Sequence, residues 1–316
     1  MGRFVLKRLG LTAVTLVLVS IVIFAVSEVL PGDPGRTVLG PYASQAQVNK
    51  INHQFGVDRP LPVRYGDWVS KFVRGDWGQS YRLDEGVLGL VVNRLGNSLV
   101  LGLFAFVLVV PFSIALGVFA ALHDGRWQDR LLSVSGLSML ALPEFVVGVL
   151  VIVLFAIQLG WLPVSSNVPS WNPVDIVRQL LLPAIPLMFV LFGYISRMAR
   201  AGTLEALQAD YTRTATLKGL PRRTVIARHV LRNAMLPTIT VVGTQVGYLV
   251  GGLVVTETLF NYPGIGKLAL DAAVGHDLPV LEGCVLATAL LFSLSNLCAD
   301  VLYAVLNPRI RVRAAT

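Results

Sequence analysis

The chain has 316 residues, 54% of them hydrophobic and only 14% charged, with a formal net charge of +8. A soluble domain is nearer a quarter charged, so this composition excludes an ordinary water-soluble globule and points to an integral membrane protein. The basic excess is accounted for by membrane topology, since no aromatic-and-basic module of the kind that binds nucleic acid occurs.

A helix crossing about 30 Å of hydrocarbon needs roughly 20 apolar residues. Six runs qualify in chain order: Leu9–Ser27, Leu95–Leu122, Leu131–Gln158, Gln179–Ser196, Ala234–Thr256 and Gly283–Ala299. Hydrocarbon offers no partner for backbone polar groups, so these runs are expected to be helices, and they are too long and uniformly apolar for barrel strands. The first follows Arg3, Lys7 and Arg8 and precedes "PGDPG". It exceeds a usual signal-peptide core and no small-x-small cleavage site follows, so it reads as a retained span.

Between the first two runs, Pro31–Arg94 reads as a folded insertion. Ser44 and Gln47 fit a capping box, and Val48, Ile51 and Phe55 continue at helical spacing until Gly56. Pro62 suits a second helix start, with Tyr65, Trp68 and Phe72 on one face and Gly75 at its end. "RGDWGQS" then reads as a turn. A docking platform for a soluble partner and a plug over the bundle both fit this pattern.

The third run is interrupted by Glu144, thirteen residues in from Leu131 and directly after Pro143. A carboxylate at that depth is costly and usually faces a partner or a wet cavity. Three roles fit: lining a translocation pathway where a peptide ammonium visits, capping a helix restarted after Pro143, or bonding to another helix.

Lys and Arg distribute unevenly among the connections. Gly160–Val177 has none, residues 197–232 have eight, Thr258–Val280 has only Lys267, and "NPRIRVR" has three. In "HDGRWQDR", Arg126 and Arg130 are offset by Asp124 and Asp129. The positive-inside rule then places both termini and the 197–232 stretch in the cytoplasm.

That stretch contains "DYTRTATLKGLPRRTVIARHVLRNAMLP", Asp210 to Pro237. Residues 203–217 have helical composition until "KGLPRR" breaks the pattern. Gly219 takes a positive φ at low cost, and Pro221 ends one helix and starts another. The second helix would set Val225, Ile226, His229, Val230 and Ala234 against Arg222, Arg223, Arg228 and Arg232. The expected result is helix, turn, helix under the bilayer. Its arginines hold anionic lipid head groups, or the hairpin inserts into a cytoplasmic partner.

In the fifth run, Gly243, Gly247 and Gly251 form a small-xxx-small ladder, for packing within this chain or against a second subunit. Gln245 and Tyr248 lie beside it as candidate pore-facing groups. Cys284 and Cys298 lie about 21 Å apart along one helix, too far to pair, and both are expected to be buried apolar residues. No His/Cys metal spacing occurs. "GIGK" at Gly264–Lys267 is no phosphate loop, since Asn261 stands at the first-Gly place and Leu268 follows the lysine.

The 210–237 stretch resembles the EAA-type coupling loop of ABC importer permeases, in its peptide-permease form. Arg213, Thr214 and Ala215 stand where the general pattern has Glu-Ala-Ala, and Gly219 is kept. "RFVLKRLG", "EVLPGDPG", "FGVDRPLPVRYGDWV", "RGDWGQS", "ETLFNYPGIGKLALDAAVGHDLPVLEG" and "LNPRIR" similarly resemble the B-type subunit of dipeptide and oligopeptide permeases, in the same order. The resemblance implies an all-α, six-span type I ABC importer permease fold. Its parts would be a tip and first span over 1–30, an extracytoplasmic insertion over 31–94, a core over 95–306 with coupling segment 203–232, and a cytoplasmic tail over 307–316.

It further implies a non-enzymatic subunit in a prokaryotic cell membrane. Its partners would be a second, C-type permease, one or two ABC ATPase subunits or a fused ATPase, an extracytoplasmic substrate-binding protein and membrane lipid, with no nucleic acid. ATP and magnesium would be bound by the ATPases, which contact Asp210, Tyr211, Arg213, Thr214, Ala215, Lys218, Gly219 and Leu220. The expected cargo is di- and oligopeptides; nickel chelates, glutathione and haem are alternatives within the family. A lone ion-coupled carrier is the reading from another class, and it would call for an inverted repeat or several intramembrane charges.

Overall fold

In the computed structural model, residues 2–29, 34–40, 42–55, 58–167, 170 and 172–306 are described. Gly56, most of "PGDPG" and the expected tail at 307–316 lie outside the described residues. Among the described residues the elements are helical, apart from one isolated bridge between Gln79 and Gly86.

The helices are α1 (Gly2–Val29), α2 (Pro34–Leu39), α3 (Gln45–Phe55), α4 (Leu61–Val73), α5 (Val87–Leu122), α6 (Trp127–Ala141) and α7 (Glu144–Val151). A π-helical stretch, Ile152–Gln158, extends α7. There follow α8 (Pro173–Gln208), α9 (Asp210–Leu217), α10 (Arg222–Thr224), the π-helical Val225–Val230, α11 (Leu231–Leu259), α12 (Ile265–Val274) and α13 (Leu278–Leu306).

Among the described residues, five helices are long and apolar enough to cross a membrane, and a sixth span is counted if the bent pair α6–α7 is one crossing. All six apolar runs of the sequence fall within these elements. The pair bends by 104° at Leu142–Pro143. Leu142 precedes a proline, which pushes it out of the helical region, and it is extended at φ −83°, ψ 125°. Pro143 follows at φ −60°, ψ 138°, and two extended residues turn the chain before α7 restarts.

Two compact units are present. One comprises Met1–Arg8, Val100–Tyr262 and Leu294–Thr316. Its core joins Leu101, Ala105 and Val109 of α5 to Leu180, Ala184, Leu187, Leu191 and Ile195 of α8 and to Leu249 and Leu253 of α11. Lipid is as apolar as leucine, so close packing has to hold such helices together. A Cβ on Gly193 would lie 2.7 Å from the Gly136 carbonyl, and one on Gly202 would lie 2.6 Å from that of Ala234. Asp129, read from sequence as an offset to loop arginines, instead accepts from Arg200 Nε at 2.5 Å, while Asp124 accepts from the same guanidinium at 2.9 Å.

The other unit comprises Leu9–Leu99 and Pro263–Ser293. The Ser44–Gln47 capping box forms, with Ser44 N donating to Gln47 Oε1 at 3.1 Å and Gln47 N donating to Ser44 Oγ at 3.4 Å. Tyr65, Trp68 and Phe72 share a face of α4 and continue a run of ring contacts from Phe24 of α1 to Trp77. Arg64 pairs with Glu28 at 2.5 Å, and Ser27 donates to Glu282 at 2.5 Å. Asp277 accepts from Ser80 Oγ and from the amides of Tyr81 and Arg82, closing the "RGDWGQS" turn. In "GIGK" the Ile265 amide donates to the fully buried Ser98 hydroxyl at 2.8 Å.

Three expectations need correction. The arginine-bearing helix after Pro221 is not separate: Arg222–Leu259 is continuous, with Pro237 inside it, because the π-helical stretch carries the helix directly into the span. Cys284 is buried but Cys298 is exposed: fourteen residues leave them only about 40° apart around α13 but about 21 Å apart along it, so what differs is the packing at the two heights. The fifth run, expected to end at Thr256, continues as helix to Leu259, so α11 takes in Glu257, which is fully buried.

Candidate functional site

The basic stretch singled out by sequence forms a compact hairpin. α8 stops at Ala209, which is extended at ψ 146°, and α9 begins at once. Thr212 Oγ1 donates back to the Ala206 carbonyl at 2.7 Å, which pins α9 to the end of α8. After α9, Gly219 adopts φ +77° with its amide donating to Thr216 O, and Leu220 N donates to Ala215 O. This is the left-handed exit that glycine makes without strain. A Cβ on Gly219 would meet nothing within 4 Å, so the glycine answers a backbone need and not a packing one.

Beneath α9 lies a small apolar core of Ala206, Ala215, Val225, Val230 and Ala234. Val225 and Val230 were predicted for the inner face, and Arg222, Arg223, Arg228 and Arg232 are exposed as expected. Of the eight residues assigned by resemblance to ATPase contact, Asp210, Tyr211, Arg213, Thr214, Lys218, Gly219 and Leu220 are exposed. Ala215 is 4% exposed and supports this surface from inside. Leu217 projects with 80% of its surface exposed, flanked by Tyr211 and Leu220. The hairpin thus offers an anchored inner face and an outer face of apolar side chains ringed by charge.

A second candidate region lies within the membrane helices. Glu144 is the first residue of α7, and its Oε1 accepts from Thr256 Oγ1 of α11 at 2.6 Å. Of the roles open from sequence, the interhelical bond is the contact that forms. Oε2 lies over Gly252, where a Cβ would come within 2.8 Å. Tyr248 is half-exposed and within electrostatic reach of Glu144 and of Tyr194 on α8. Gln245 is partly buried, with its Nε2 enclosed. Thr256, Gly252 and Tyr194 had escaped sequence reasoning, because nothing local links Thr256 to an acid 112 positions earlier.

The glycine ladder does not act as one seam. A Cβ on Gly243 would meet Ala299 of α13 at 2.8 Å, which is packing inside the chain. Gly247 is buried, whereas Gly251 is exposed with nothing within 4 Å.

Residues 113–312 match the family described as binding-protein-dependent transport system inner membrane component, and residues 1–102 match the corresponding N-terminal family of membrane components. The glutathione transport system permease protein GsiC of Escherichia coli is 37% identical over 313 residues, covering 99% of this chain and 100% of that protein. The proteins of that name from Shigella dysenteriae and Shigella boydii show the same identity and coverage.

Proposed function

The chain belongs to the binding-protein-dependent transport system inner membrane component family, and we propose from this that it is one of two permease subunits of an ATP-driven importer, gripped by an ATPase subunit at α9 and the turn after it. It has the all-α fold of a type I ABC importer permease and, as a permease, no catalytic role of its own. Membership sets aside the reading as an ion-coupled carrier acting alone.

The observation that carries the coupling role is Leu217. An apolar side chain 80% exposed at the tip of a hairpin that is otherwise pinned by Thr212 and an apolar core has no folding reason to be there. Seated in a cleft of a partner, it would contribute about 1.5–3 kcal/mol by burial. In this reading the partners are a second permease, ATPase subunits that hold ATP and magnesium, and a binding protein on the opposite side. The arginines of 222–232 also lie where anionic lipid heads would suit them.

The cargo we propose is a short peptide carrying a free amine. The names of the relatives favour glutathione, itself a small peptide, over the di- and oligopeptides expected from sequence alone.

The test is ATP hydrolysis and glutathione uptake by the reconstituted complex, with Leu217→Asp beside the wild type. An exposed position tolerates aspartate, so folding and span insertion should be unchanged. A carboxylate forced into an apolar cleft should lower coupled uptake by about tenfold or more. Undiminished, fully coupled uptake in the variant would remove α9 from the ATPase interface.

A further inference from the structure

Tyr248, Gly252 and Thr256 recur every fourth residue on α11 and so lie above one another on one face. The Glu144 carboxylate spans the last two, with Oε1 held by Thr256 and Oε2 over the bare backbone of Gly252. α8 runs antiparallel beside this face: Gly202 meets Ala234, while Leu187 meets Gly252. That register sets Tyr194 level with residues 242–245, about one turn from Tyr248 and within its electrostatic reach. Both tyrosines are about half-exposed, at 47% and 50%, although α8 is almost wholly buried over the two turns before Tyr194. Among the described residues no cationic side chain pairs with Glu144.

A carboxylate at membrane depth that lacks a cation is costly unless it serves a passing one. Thr256 satisfies a single oxygen. Oε2 remains an acceptor, and Tyr248, within electrostatic reach of Glu144, lies one turn along the same face from Gly252. A carboxylate with a tyrosine one turn away suits a compact cation with several N–H donors, which can bond to the oxygen and lie towards the ring. It repels an anion. We propose that Glu144, Tyr248 and Thr256 form a station in the permeation route that receives the primary ammonium group of the cargo. This rests on the permease reading above and adds to it a residue-level selectivity for cargo with a free amine. Glu144 is the binding group, Thr256 a positioning residue that aims it, and Gly252 the gap that admits it.

The station is read by thiol labelling of the assembled complex, with Cys284 and Cys298 replaced by alanine and a cysteine introduced as Gly251→Cys. That site is exposed, its Cβ meets nothing within 4 Å, and it lies one turn from Tyr248. Tyr248→Cys serves if the first variant does not assemble. Cationic aminoethyl methanethiosulfonate should react faster than anionic sulfonatoethyl methanethiosulfonate. Adding Glu144→Gln should lower the ratio of the two rates by about tenfold, the effect of one unit charge nearby in a partly aqueous cleft. Glu144→Asp should keep most of the ratio. Propylammonium should slow the cationic reaction where potassium does not.

Absence of reaction with either reagent would make the face lipid-covered and overturn the station. An unchanged ratio in Glu144→Gln, or equal protection by potassium, would overturn it as well. The labelling needs no cargo uptake. A complex that labels as expected yet imports no glutathione would therefore count against the proposed cargo and leave the station standing, while coupled uptake with an unchanged ratio would do the reverse.

Discussion

Gly251 and Gly252 show how much one helical position decides. They are neighbours in sequence, yet a methyl group on the first meets open space and on the second meets the Glu144 carboxylate at 2.8 Å. Gly251→Ala should therefore be neutral or slightly stabilising, as expected for alanine replacing an exposed helical glycine. Gly252→Ala should displace Glu144 from Thr256 and cost about 1–3 kcal/mol, the usual range for overpacking. Thermal unfolding of the detergent-solubilised complex separates the two, and equal midpoints would mean that Gly252 leaves no needed gap. The depth of Glu144 and the break after Pro143 were legible in sequence. Its partner was not, because Thr256 is brought to it only by the crossing of α7 and α11.

At the scale of elements, local signals served well wherever the chain interacts with its near neighbours. The capping box of α3, the proline start of α4, its aromatic face and the positive φ of Gly219 all follow from spacing and residue type. The stretch after Pro221 went otherwise, since amphipathicity does not reveal whether a helix stops or runs on into the next span. The loop over Ser80–Arg82 makes a further case. Burial pushes the Tyr81 phenol up from 10 to about 12, with Glu282 and then Asp277 adding to the effect. The folded state thus holds the phenol neutral. Its contribution is complete below about pH 10 and is lost as the pH rises towards 12. Tyr81→Phe should remove that alkaline loss. The fluorescence of Trp77, in the same unit, reports it on titration from pH 9 to pH 12. Coincident curves for wild type and variant would show that another group is the sensor.

For the whole molecule, the proposed orientation puts the termini and the hairpin in the cytoplasm and residues 160–177 outside. Val164 is half-exposed and Leu217 largely so, which makes both suitable cysteine sites. In intact cells an impermeant thiol reagent should modify Val164→Cys promptly, and Leu217→Cys only after permeabilisation. The opposite pattern would invert the topology and move α9 away from any cytoplasmic ATPase.

The sequence by itself determined the membrane class, the six apolar runs, the sharp turn at Gly219 and the family likeness. These depend on composition and on spacing within a few residues, where backbone sterics and the cost of desolvating peptide groups act directly. Only the tertiary structure decided which acids are paired and which surfaces are left open. Asp129 turns to Arg200, Glu144 to Thr256, Cys298 and Gly251 face outward, and Ala215 faces in. Each outcome depends on how helices distant in the chain cross, and a helix alone presents every direction equally until a neighbour covers one of them.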